Sequence, residues 1–148
     1  MLTQEAVDLL LNVKKHVLKE PNRLMMSGWV LRKWPGATTF SGDGLDKIPF
    51  ARCGTAGCIG GWMILLHDGM SAPRPYGGYV RRATYLLFGD NVSTPPDLFY
   101  TDYWDSLKQG LKDRYREAKT QKERAEITAE AIDAFIEKQN TTQPKEEV

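Results

Sequence analysis

Residues 51–69, ARCGTAGCIGGWMILLHDG, gather both cysteines of the chain, Cys53 and Cys58, and one of its two histidines, His67. The first chemistry this allows is that of an activated thiol. With Thr55 as N-cap, Cys58 takes the third helical position, beside unpaired amides and the positive end of the helix dipole, where a thiol loses its proton more readily. The plainer alternative is packing, because cysteine is among the most often buried residue types. Cys53 and Cys58 could also come within disulfide range across a turn, although their C-x4-C spacing is not the C-x-x-C of redox enzymes.

A nucleophilic thiol needs a base beside it. On one continuous helix His67 stands about 13.5 Å along the axis from Cys58 at ~1.5 Å per residue, so only His16 remains for that role. A closed zinc site wants four Cys or His ligands, and Cys53, Cys58, His16 and His67 are the entire stock. Since Cys58 and His67 cannot share an ion at that separation, no metal and no cofactor is expected. Neither a phosphate-binding G-x-x-x-x-G-K-[ST] loop nor a dinucleotide fingerprint occurs.

The remaining candidates are binding residues. Gly60 and Gly61 each weaken a helix by ~1 kcal/mol relative to alanine, so they mark either close approach of another helix, with Trp62 filling the adjacent volume, or a ligand lying on exposed backbone. Arg81 and Arg82, with Arg74, Tyr76 and Tyr79 nearby, could form a basic aromatic patch for phosphate or RNA; the alternative is the solvent face of an amphipathic helix. Trp104 closes the aromatic corner STPPDLFYTDYW, where Asp97, Asp102 and Asp105 suit either acid-base work or the backbone bonding usual in turns.

These residues need elements to position them. Ala6, Leu10, Val13 and Val17 recur at helical spacing behind a Thr3 N-cap, and Pro21 stops that helix near Glu20. NRLMMSGWVLRKWP has no clear period and is assigned a short helix or turn, while residues 35–50, rich in glycine, proline and hydroxyl groups, form a long loop. Residues 59–66 are apolar on all sides, which places a helix over about 57–68 in the middle of the protein. Tyr79, Val80, Ala83, Leu86 and Leu87 form the next helical face, closing at Gly89. Trp104, Leu107, Leu111, Tyr115 and Ala118 mark one further helix; Ala125, Thr128, Ile132 and Phe135 mark the last, opened by a capping box at Thr120 and Glu123.

The Cys53, Gly54, Thr55, Cys58, Gly61 and Trp62 set resembles the CGT-x-x-C-x-x-G-W core of a group of small bacterial and phage proteins. The likeness runs from about residue 5 to 104 and includes Arg82, Ala83, Thr84, Leu86, Leu87 and Gly89, then Leu98 and Phe99. Gly60, where those proteins more often carry alanine, and the longer C-terminal helical pair depart from it. The resemblance implies an architecture and no reaction, since no activity is established for the group.

The chain has 148 residues, enough for one core, and its 20 Lys and Arg against 19 Asp and Glu leave a formal charge of +1. That balance argues against nucleic acid as a general partner. No membrane span and no signal peptide is read, so a cytoplasmic protein with reduced thiols is expected. The fold expectation is an all-α single domain, residues 1–139, of five or six helices around the 57–68 helix, with a disordered tail at 140–148. The functional expectation is a non-enzymatic binding or protein-interaction module for a protein or small-molecule ligand, with homo-oligomerisation open. Its candidate binding residues are Thr55, Gly60, Gly61, Trp62, Arg81, Arg82 and Trp104. The alternative is a thiol enzyme or redox switch centred on Cys58, with Cys53 as resolving thiol or His16 as base.

Overall fold

Helix α1, Gln4–Lys19, begins where expected: the Thr3 hydroxyl accepts the Ala6 amide at 3.1 Å, and Ala6, Leu10, Val13 and Val17 are all buried. The computed structural model describes residues 2–24, 30–32, 55–68, 76–92 and 94–141. The helices that follow are α2, Ile59–Asp68; α3, Tyr76–Phe88; α4, Leu111–Glu117; and α5, Gln121–Thr141. Together with short 3-10 turns they make an all-α domain of five α-helices among the described residues. The expected loop at 35–50 lies outside those residues. Of the expected tail, Asn140 and Thr141 continue α5 and the rest lies outside them.

Helix α2 is buried from Ile59 to Leu65, with α1 and α3 packed against it. Its Ile59, Met63 and Ile64 have no exposed surface, as the absence of a polar stripe in the sequence requires. α5 lies against α1 and α4, and Ala125, Thr128, Ile132 and Phe135 form its buried face. Lys14 bonds both carboxylate oxygens of Asp133 at 3.0 and 2.8 Å, which fastens α1 to α5 at the surface.

Three local expectations are corrected. Val30–Arg32 (β1) and Thr55–Gly57 (β2) form a small antiparallel ribbon, with Val30 opposite Gly57 and Arg32 opposite Thr55. The short helix or turn expected there is therefore a strand in its middle, and the central helix starts two residues later than 57. Trp104 and Leu111 do not share one helix: a 3-10 turn, Thr101–Ser106, gives way to Gly110 at φ +90°, and α4 starts only after it. The Asp105 carboxylate secures that break by accepting the Gly110 and Lys112 amides, each at 3.1 Å. The capping box is half as expected. Thr120 accepts the Glu123 amide at 3.1 Å, but the glutamate answers the threonine hydroxyl at 3.3 Å.

Candidate functional site

Because Thr55 is paired within β2, it is not the cap of α2; that place belongs to Cys58. The Cys58 carbonyl accepts the Trp62 amide at 2.9 Å, and its sulfur accepts the Gly61 amide at 3.5 Å. The thiol thus sits in front of the helix rather than at the third position. Two opposing effects act on it. The amides of the first turn favour a thiolate, but complete burial costs a charged sulfur more than those weak bonds return, and the thiol is pushed up to about 11. At neutral pH Cys58 is protonated and only 3% exposed.

His16, on the last turn of α1, sets its ring against the Trp62 indole with centroids 4.3 Å apart and planes 40° apart. Its Nε2 is 3.3 Å from a Glu20 carboxylate oxygen. Gly60, Gly61 and Trp62 are buried with Cys58. The motif is therefore a packed helix entrance braced by His16. Cys53 lies outside the described residues.

Trp104 is a core residue and not part of a binding surface: it is fully buried, donates Nε1–H to the Leu98 carbonyl at 2.9 Å, and meets Tyr115 edge to face at 5.1 Å. Of the carboxylates at this corner, Asp97 accepts the Ser106 hydroxyl and Asp102 pairs with Arg116. Arg81 is exposed on α3. Arg82 does not form an open basic patch with it, because its Nε and Nη2 bind the two oxygens of Asp68 at 2.9 and 2.6 Å. Those bonds hold the guanidinium above its ordinary value. Arg74 lies outside the described residues.

The Arg82–Asp68 pair opens onto a cleft the sequence did not announce. It has a volume of about 690 Å³ and lies where the start of α1 meets the ends of α2 and α3. Leu9, Leu86 and Val92 contribute apolar wall; Glu5, His67 and Tyr85 contribute polar groups. Asp68 also accepts from His67 Nδ1 at 2.8 Å, so one carboxylate, itself 9% exposed, orients an imidazole and a guanidinium together. Since a carboxylate only accepts, Nδ1 carries a proton in this contact. The available signal was the adjacent pair His67 and Asp68 at a helix end; their partner Arg82 lies 14 residues on, beyond the reach of helical spacing.

Among the described residues no group of three or more His, Cys, Asp or Glu could hold a metal ion, and no helix is long and apolar enough to cross a membrane. Comparison with protein-family models, with curated proteins and with solved structures finds no match.

Proposed function

We propose that the chain is a small non-enzymatic binding module and that the α1–α2–α3 cleft is its ligand site. The observation that carries this reading is the meeting of three helix ends around a cleft of about 690 Å³ with the His67–Asp68–Arg82 network on its wall. The size lies within the about 300 to 1,000 Å³ of ligand pockets, as do grooves of about 550 and 510 Å³ along α5. The cleft's lining joins apolar wall from Leu9, Leu86 and Val92 to polar groups, of which His67 and Arg82 are both held by Asp68. The thiol-enzyme reading draws less support, because a nucleophile must be reached by substrate and ionise near neutral pH. Cys58 meets neither condition.

An NMR fragment screen on the full chain tests the proposal. Hits are expected to shift the amides of Leu9, His67, Tyr85 and Val92. Hits confined to other surfaces, or none at all, would overturn it.

A further inference from the structure

The chemistry of the ligand follows from the charge around the cleft, and rests on the cleft being the binding site. Three helix ends meet there: the N-terminus of α1, with Glu5 in its first turn; the C-terminus of α2, at His67 and Asp68; and the C-terminus of α3, at Phe88 and Gly89. Each helix end carries about half a unit charge, positive at the N-terminus and negative at the C-terminus. Two C-termini against one N-terminus leave the backbone field negative.

The side chains add to that field. Arg82 is matched by Asp68. Glu5 is exposed and makes no ion pair among the described residues, so its charge is not offset by a side chain there. His67 and the half-exposed Tyr85 ring complete the lining. The Tyr85 ring already has the Arg82 guanidinium 5.6 Å from its centroid, the geometry by which an aromatic face attracts a cation.

We propose that the cleft binds an amphipathic primary amine, its ammonium directed to the Glu5 carboxylate and its apolar body to Leu9, Leu86 and Val92. An ammonium offers three donors and no acceptor, which complements the exposed Glu5 carboxylate. A carboxylate ligand of the same shape would face Glu5 and two helix C-termini, while the guanidinium it needs is engaged by Asp68.

Three probes with one apolar body separate the possibilities in ¹H–¹⁵N titrations of the full chain: 2-phenylethylamine, 2-phenylethanol and 3-phenylpropanoate. The amine is expected to shift the Glu5, His67 and Val92 amides and to bind about tenfold or more tighter than the acid. Glu5→Gln, a change at an exposed position, should weaken the amine by about fivefold and leave the alcohol unchanged. Asp68→Asn releases Arg82 and should reverse the preference toward the acid. Shifts at these amides without preference for the amine, or undiminished amine binding by Glu5→Gln, would overturn the amine assignment while the cleft stands as a binding site. Silence at these amides with all three probes would overturn both.

Discussion

Arg82 holds Asp68 by two parallel bonds, 2.9 Å from Nε and 2.6 Å from Nη2, and so joins the middle of α3 to the last residue of α2. The pair is intermediate between a surface bridge and a buried one, with Asp68 9% and Arg82 30% exposed. Removing the arginine leaves a nearly buried carboxylate with fewer donors. Arg82→Ala should therefore cost about 2 kcal/mol, between the ~0–1 of exposed pairs and the ~3–5 of a broken buried pair. Arg82→Lys should recover only part, since an ammonium cannot make the planar two-point contact. Urea denaturation of the three proteins would decide it. Equal midpoints would show that the clamp orients the cleft without stabilising the fold.

Cys58 gives a signed prediction in alkali. Its folded value of about 11 lies above the ordinary 9.0, so the native state favours the protonated thiol. Stability from that source is fully present below about pH 8.5–9 and is lost as pH rises through 11, a loss of about 2–3 kcal/mol. Cys58→Ser should remove this part of the alkaline slope, and should be tolerated better than Cys58→Ala, because a hydroxyl can accept the Gly61 amide and a cap lost to alanine costs ~1 kcal/mol. Iodoacetamide should label the folded protein slowly at neutral pH and quickly once it unfolds. Fast labelling of Cys58 in the native state would restore the thiol chemistry set aside above.

Much of what was legible in the sequence depended on local periodicity, although the periodic face from Trp104 to Ala118 is broken at Gly110. The buried stripes of α1 and α5, the Thr3 cap and the all-apolar character of α2 follow from residues three or four apart. What was not legible depended on partners far along the chain. The 55–57 segment looks like a helix start until its ribbon with 30–32 is known. Arg82 likewise looks like a solvent arginine until Asp68 is placed beside it. The cleft belongs to this second kind, because its walls come from three helices and no single stretch of sequence contains it.

The glycines separate two costs, bulk and backbone conformation. Gly61 is buried in α2 and donates its amide to Cys58; Gly61→Leu adds a large side chain at a buried position and should cost ~1–3 kcal/mol. At Gly110 a methyl group would meet nothing within 4 Å, but φ is +90°. Gly110→Ala should therefore cost ~1–2 kcal/mol through backbone strain alone. Thermal melts distinguish the two. A Gly61→Leu protein with an unchanged midpoint would show open space on that face of α2.

Glu130 links α5 to the α4 region through Arg114, whose Nη1 and Nη2 reach it at 3.0 and 2.5 Å, and through Lys108 at 3.2 Å. The Arg114 bonds, with a smaller contribution from Lys108, hold the Glu130 carboxyl below its usual range. A depressed carboxyl stabilises the native state above the unfolded pKa of ~4.3, and that contribution disappears as pH falls through the lower folded value. All three groups are partly exposed, so solvent screening limits the effect. Glu130→Gln should cost no more than about 1 kcal/mol at pH 7. The difference between the two proteins should shrink below about pH 4 and should also shrink at pH 7 in 1 M salt, where the screening length falls to ~3 Å. A penalty that is the same at pH 7 and pH 2.5 would mean that Glu130 acts through packing of its side chain and not through its charge.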